Sequence, residues 1–575
     1  MDAIDRGEFD TLREWLDRFY ASEAYLRPHF KRGEENYNLY RSYKTASEKV
    51  YKHDIFVPYS YAYTEDFTSY LMLSVLASPI IHALRPRHTA ISVELCLELE
   101  ELLHWTLTEE SAEFVLELEE LIKNICIYNM SYLVNYPIVR EERVFTSDQA
   151  SLFPGLRESH STTVFDRLHL DAPCPLDMFP EPKIKRLSRM THVIKRSWED
   201  FEMLRKLEKE GNAGYKNVEE ARHTGTMEED PVQKRLSAIG LGASAPYYNA
   251  KTNRIEVLDC MEDGDVVTIA GRRAIIRDTT KDDFKPFMYK FPVLDCRLGG
   301  APGEFFGLAT IESIKQTQKE MNLLRSQRRD NIALIFNKVF TLDTMAGEVD
   351  LSTLFSAPGN VIMGINIKEA LDELEISDVT ASSFKESQDL QQDMENITAL
   401  TRYARGQTPG RRETATGIIR LQQAAQSRNE WMLRKLDWYV LQPMAKRIIV
   451  YLREYLDRPT YAAIIGKENH AEEFFALDPD QLKRMLQVQP LTESIISVKE
   501  VDMNKFLQAY DRIINMPGVN IMALGKQLLQ KLGNKNIKEI LPQLSTPAQD
   551  ATMQAVGQMG TGPEMAPETQ APALG

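Results

Sequence analysis

The sequence holds no G-x-x-x-x-G-K-[ST] phosphate loop, no H-E-x-x-H and no G-x-S-x-G. It therefore lacks the local signatures of a P-loop nucleotide hydrolase, a zinc protease and a serine hydrolase. A loose G-x-G-x-x-A match at residues 240–245 follows the charged, helix-like EEDPVQKRL instead of an apolar strand, which argues against a dinucleotide site. Cysteine is scarce: Cys96, Cys126, Cys174, Cys260 and Cys296 are scattered, with no C-x-x-C and no histidine at zinc spacing. They are expected as reduced, mostly buried thiols in a cytoplasmic setting. No apolar run reaches the roughly 20 residues a bilayer requires. The best, residues 70–84, is shorter, carries Pro79 and His82, and reads as a buried helix or helix–turn. The opening MDAIDRGEFDTLREW has no apolar signal core, so secretion is not expected. Carboxylates abound without a cluster that singles out a catalytic pair. The chain reads as non-enzymatic, with no cofactor and no metal.

What is present is a soluble-protein composition, 43% hydrophobic and 27% charged, over 575 residues. That length exceeds one ordinary core and suggests about three or four domain-sized units. The formal charge is −15, from 69 basic and 84 acidic residues. A protein that grips duplex DNA supplies most of its affinity through a basic surface, so an acidic chain argues against static gripping. It leaves open an enclosure through which DNA passes.

Along the chain, Phe9, Leu12, Leu16, Phe19 and Tyr20 fall at helix spacing. Tyr25, Phe30, Tyr37, Tyr40, Tyr43 and Tyr51 continue an aromatic series that suits packing onto the body or a neighbour better than base stacking. Residues 94–130 read as a second helical stretch, and the region from Val139 as loops with short strands. Residues 184–209 read as helix; the basic run KIKRLSRMTHVIKR within 183–196 suits a solvated face, an acidic neighbour or a phosphate. Residues 212–246 look like a linker. RIEVLDC, DVVTIAGRRAIIRD and FMYKFPVLDC, within residues 253–296, read as strands separated by Asp-Gly and Lys-Asp-Asp turns.

The centre opens on the turn cluster GGAPGEFFG from Gly299 and continues as a helix over 308–335, on the order of 40 Å long. Its apolar positions (Leu308, Ile311, Ile314, Met321, Leu324, Ile332, Ile335) form a narrow stripe, so the rest is expected to meet like helices or water. Residues 338–380 read as short strands and loops, with eight acidic residues against two lysines. A second polar helix over 382–403 leans acidic where the first leans basic, which invites side-by-side packing within or between subunits. The loop RGQTPGRRE at 405–413 follows, then another long helix starting at TATG. The end, from Ser545, has no Lys, Arg or aromatic residue and reads as disordered.

This order of elements, with ETATG at 413–417 after the loop and FFGLATIESIKQTQKEMNLLRSQRRDNI at 305–332, resembles the portal (head–tail connector) proteins of tailed bacteriophages. The match at motif level covers residues 305–444. The resemblance implies a mixed α+β, mainly helical subunit that closes into a ring, typically of twelve. It implies a wing at 1–304, a first stem helix at 305–337, a clip at 338–380 and a second stem helix at 381–404. A tunnel loop at 405–413, a long helix at 414–443, a helical crown at 444–544 and a tail at 545–575 complete the layout. The stem charges Lys315, Lys319, Arg325, Arg328, Arg329, Glu386, Asp389, Asp393 and Glu395 are then expected at subunit contacts. Asp343, Glu348, Asp350, Glu369, Asp372, Glu373, Glu375 and Asp378 would form an acidic clip surface, facing either the channel or a basic partner. Arg405, Gln407, Thr408, Arg411 and Arg412 would approach DNA or pair with acidic neighbours in the ring.

The same resemblance implies double-stranded DNA packaged and ejected through the ring at one capsid vertex of the virion. It also implies docking of the terminase large subunit and then of head-completion and tail adaptor proteins. Contact with scaffolding and major capsid proteins would come during assembly in the host bacterial cytoplasm. Other classes remain open: a different head–tail adaptor or minor head protein, which tend to be shorter, or a nucleic-acid-dependent ATPase, which the missing phosphate loop disfavours. A helical scaffold protein would need sustained heptads, and none are found.

Overall fold

The computed structural model describes residues 3–44, 51–77, 81–87, 91–109, 113–146, 158–210, 214–223, 254–280, 287–336, 340–343, 345–353, 361, 363–374, 377, 380–398, 428–466 and 470–490. The 405–413 loop, residues 414–427, most of the 212–246 stretch and everything from 491 lie outside the described residues.

Helices α1 (Ala3–Tyr40) and α2 (Tyr59–Val75), strand β1 (His82–Pro86), and helices α3 (Val93–Thr108) and α4 (Phe114–Tyr128) come first. Strands β2 (Ser131–Thr146), β3 (Glu158–Asp171), β4 (Met178–Pro180) and β5 (His192–Asp200) follow. Next come α5 (Phe201–Glu210), β6 (Arg254–Glu262), β7 (Asp265–Ala270), β8 (Ala274–Asp278) and β9 (Val293–Cys296). Strands β4 to β8 form one antiparallel sheet in sequence order. The β6–β7 turn is Asp263-Gly264, both residues at positive φ, the backbone that an Asp-Gly hairpin signal specifies. On this sheet α1 lays Trp15, Phe19 and Leu26, which share a core with Phe179, Val193, Ile194, Leu258 and Ile269.

Part of the aromatic series of the first sixty residues packs onto the body, as expected, while Tyr25 stays exposed. Phe30 meets Phe179, Tyr37 stacks on Tyr128, and the Tyr40 hydroxyl donates to Glu65 at 2.8 Å. The expected helix at 94–130 is broken: Glu109 is extended and Glu113 adopts a left-handed backbone, separating α3 from α4. Residues 70–84 likewise divide between the end of α2 and the start of β1.

Two expectations are corrected. Beyond Val139 the chain is no set of short strands but a long antiparallel ribbon, in register from Val134↔Asp171 to Thr146↔Glu158 with a bulge at Ile138/Val139. Its outer half is rich in charged and hydroxyl residues, which hides a strand from any hydropathy pattern. Residues 184–209 are helical only from Phe201 onwards in α5, apart from a single 3-10 turn at Leu187–Arg189; 192–200 is strand β5, in the interior of the sheet. There Lys195 pairs with Asp171, and Arg196 donates to Asp177 at 3.0 and 2.8 Å with its guanidinium over Phe179. Those two charges serve their own chain, while Lys183, Lys185, Arg186 and Arg189 stay exposed.

The C-terminal part of the described chain joins the N-terminal core. Residues 428–436 are helical and pass through a π-turn, Asp437–Leu441, into α9 (Gln442–Tyr455). Helices α10 (Arg458–Ile465), α11 (Ala471–Ala476) and α12 (Pro479–Met485) lead to strand β14 (Leu486–Pro490). The stretch from 444 was expected to be all helical, yet β14 pairs antiparallel with β1. Met444, Ile448, Ile449 and Leu452 lie in one core with Leu95, Leu121, Ile125 and Leu168. Arg447 pins α9 to the three-stranded sheet β3-β2-β9, donating to Asn135 Oδ1 at 3.0 Å and the Val293 carbonyl at 3.2 Å. No disulfide joins the five cysteines, all described, of which only Cys174 is not fully buried. No helix among the described residues is long and apolar enough to cross a membrane.

Candidate functional site: a polar helix pair and its insert

The central helix forms where its composition placed it, as α6 (Thr310–Phe336), against an expected 308–335. Its lead-in is fixed by backbone proximity: a Cβ on Gly307 would strike the Gly299 carbonyl, and one on Gly299 would strike that of Leu308. Arg297 clamps the turn, donating to the carbonyls of Phe305 at 2.5 Å and Lys185 at 3.0 Å, with its guanidinium over Phe305.

A small insert follows: β10 (Phe340–Leu342), β11 (Glu348–Val349), β12 (Gly364–Ile365), α7 (Ile367–Ala370) and β13 (Leu371–Glu373). It pairs β10 with β13 and β11 with β12. Among its described apolar side chains only Val349 and Ala370 are buried; Met345, Leu351, Val361, Met363 and Ile365 are all more than half exposed. Asp343, Glu348, Asp350, Glu369, Asp372 and Glu373 are exposed among them, and Glu375 and Asp378 lie outside the described residues.

Helix α8 (Thr380–Thr398) returns antiparallel to α6, since contacts move down one helix as they move up the other. The expected second helix over 382–403 therefore begins slightly early, and its end lies outside the described residues. The seam between the two is thin: Ile314, Met321, Leu390 and Met394. Arg328 closes it. Its guanidinium lies 4.1 Å from the Phe384 ring centre, and Nη2 donates to the Ser383 carbonyl at 2.7 Å and to the Ser387 hydroxyl. Burial and the neighbouring Arg325 lower its pKa from the usual value.

The face of α6 expected to meet like helices or water is instead covered by its own chain. Residues 52–57 run along it, and the helix reads their backbone with a ladder of side chains. Asp330 accepts from the Lys52 and His53 amides at 3.2 Å each, Ser326 from Ile55 at 3.0 Å, and Asn322 from Val57 at 2.9 Å. Gln318 donates to the Val57 carbonyl at 2.5 Å and to Asn322 at 3.0 Å. The spacing is compatible, since two residues of open chain can advance up to about 6.6 Å and four helical residues advance about 6.0 Å. Amides 53, 55 and 57 thus meet residues 330, 326 and 322 in turn. The Asp330 carboxyl is held below its usual range, first by the His53 side chain at 2.7 Å and then by these amides.

Asn322→Ala would leave the Val57 amide without its acceptor, worth about 1 kcal/mol. Hydrogen exchange at Ile55 and Val57 should rise several-fold while exchange along α8 stays unchanged; equal protection in both proteins would show the ladder carries no load.

Of the expected stem residues, Lys315 is ion-paired to Glu35 of the same chain, and Arg328 sits inside the helix pair. Lys319, Arg325 and Arg329 are exposed on α6; Glu386, Asp389 and Asp393 are exposed on α8, with Glu395 half-buried. Arg405, Gln407, Thr408, Arg411 and Arg412 lie outside the described residues. The ladder escaped the sequence reading, although the spacing Gln318, Asn322, Ser326, Asp330 was there to be seen.

The sequence model of the family described as Phage SU10 portal protein matches residues 264–571, just over half of the chain. The chain belongs to that family. No curated protein matches it. The portal-family match spans strands β7 to β9, the Arg297-clamped lead-in, the helix pair with its insert, and the helices that share the N-terminal core. Helix α1, the strap at 52–57 and the β2–β3 ribbon precede the matched stretch.

Proposed function

We propose that this chain is the repeating subunit of a portal ring of twelve, through which double-stranded DNA enters and leaves a phage head at one vertex. The observation that carries the reading is the helix pair, which turns exposed cations outward on α6 and exposed acids outward on α8. A closed ring needs two different, complementary surfaces on each subunit, and opposite charge on the two helices supplies them. In this reading α6 and α8 are the stem and residues 338–380 the clip. Residues 405–413 are the tunnel loop, residues 1–304 the wing, and residues beyond 444 the crown. The subunit acts by enclosing DNA and docking other proteins, with no catalytic step and no cofactor. Terminase, scaffolding and capsid proteins, and later head-completion and tail proteins, are its expected partners.

The insert favours a docking role over that of a bare channel wall. Its exposed Leu351, Val361, Met363 and Ile365 alternate with Glu348 and Asp350, a mixture that suits a protein contact with a basic rim. An acidic chain of charge −15 fits a wall along which phosphate slides, with a few arginines touching it.

Electron microscopy of the purified protein tests the reading: closed rings with a hole wide enough for duplex DNA are expected, and monomers or filaments at all concentrations would refute it. Neutralising Arg411 and Arg412 together should leave rings intact and lower the amount of DNA packaged or retained. Particles filled to the normal level would remove these residues from the channel.

A further inference from the structure

Two surface features of the chain are left exposed. The first is aromatic. Trp431 and Trp438, two of only five tryptophans, are 48% and 58% exposed and pack edge to face with ring centres 5.8 Å apart. They stand seven residues apart on the helical stretch that enters the π-turn, with Arg434 exposed between them. The Lys435 ammonium lies 5.7 Å from the Trp431 ring and donates to the Leu298 carbonyl, which fixes the base of the knob to the body.

The second is a groove between the end of α2, the end of α3 and the start of α4. Leu76, Ile81, Leu107 and Phe114 line it, with Val115 and Leu116 at its lip, 45% and 62% exposed. Glu109 and Glu113 also line it. These two carboxyl side chains give the groove its acidic edge.

We propose that these two features are the halves of one contact between successive copies of this chain: the Trp431–Trp438 knob of one copy seats in the Leu76–Leu116 groove of the next, with Arg434 against Glu109 and Glu113. The proposal rests on the ring reading above. Tryptophan and arginine are the residue types that dominate binding energy at protein contacts, and they do so when seated in apolar pockets. The knob carries positive charge and the groove negative, so the match is electrostatic as well as apolar, and like-charged pairings are excluded. Both features are open on the same subunit, so each is available to a different neighbour, as a head-to-tail ring contact requires. A nucleic acid is the weaker occupant of the knob. The perpendicular rings offer no common flat face for successive bases, and paired bases in a duplex are not free to stack on them.

The test uses the full-length chain. Arg434→Glu and Glu113→Arg should each lower the ring fraction about tenfold at a fixed concentration, and the double variant should restore it to within about twofold. Trp438→Cys combined with Leu116→Cys should give a ladder of disulfide-linked multimers under oxidation, and neither single variant should. Thermal melting of each variant, at these exposed positions, should match the parent and so separate assembly from folding. If the parent forms rings that survive Trp431→Ser/Trp438→Ser and no ladder appears, the contact is wrong while the ring reading stands. If the parent forms no rings, both fall. Quenching of Trp431 and Trp438 by a single-stranded oligonucleotide, with no effect of Leu116→Asp on assembly, would overturn the proposal in favour of a nucleic-acid surface.

Discussion

Arg328→Ala should loosen the α6–α8 pair by about 3 kcal/mol, more than any other single change in that region. Among the described residues the buried apolar seam of the pair is four side chains, so the arginine supplies much of what holds it: the cation over Phe384, two hydrogen bonds from Nη2, and the bulk of a buried stem. Truncation removes all three and opens a void beside Phe384 and Ser387. Arg328→Met gives a sharper comparison. Nε and Nη1 have no hydrogen-bond partner among the described residues, so methionine keeps the stem and removes a buried charge that is only partly satisfied. The expected order of stability is wild type, then methionine, then alanine, read by hydrogen exchange over residues 380–398. Alanine as stable as wild type would mean the pair is held by something other than this residue.

The second large effect depends on pH. His82 is wholly buried, its ring nitrogen Nε2 within 3.1 Å of the Leu441 carbonyl, and burial pushes its pKa down to about 4. The unfolded chain binds a proton at this histidine near its ordinary value of about 6.5, and the folded chain only near 4. Between those values the unfolded state holds more protons, so stability falls as pH drops. From about pH 7 to about pH 5 the loss assigned to His82 is about 2 kcal/mol. His82→Gln keeps a donor for Leu441 and has no proton to gain. Denaturant unfolding at the two pH values should therefore show a smaller difference in the variant than in the parent, by about that amount. An identical difference in the two proteins would show that His82 charges inside the folded state without penalty. The comparison between variants matters, because partly desolvated acids such as the half-buried Glu117, whose pKa is raised first by burial, act in the opposite direction.

How far the sequence carried the fold can be judged element by element. Helix α6 was legible because long polar helix formers run uninterrupted between a glycine cluster and a β-branched strand. Strands β6 and β7 were legible because Asp263-Gly264 is a turn signal with a definite backbone geometry. Strand β5 was missed because VIK followed by RSW carries charges that suit a helix as well. Only its tertiary partners, Asp171 and Asp177, make those charges affordable inside a sheet. The union of residues 428–490 with the N-terminal core was missed for another reason. Pairing β14 with β1 joins segments about four hundred residues apart in sequence, and no local pattern encodes that. In the helix pair, the opposite charge bias was read correctly, but the polar ladder was taken for a wetted surface. Hydropathy cannot tell an amide that meets water from one that meets a backbone.

That ladder has a mechanical consequence. Its rungs span about 18 Å of α6, from Gln318 to Asp330. A pull along the helix axis loads every rung at once, whereas lifting the strap from its Lys52 end opens them singly, beginning at the half-buried Asp330 rung and finishing at buried Gln318. Residues 52–57 are thus coupled stiffly to axial thrust on α6 and softly to sideways peeling, a directional tie between the strap and the centre of the chain.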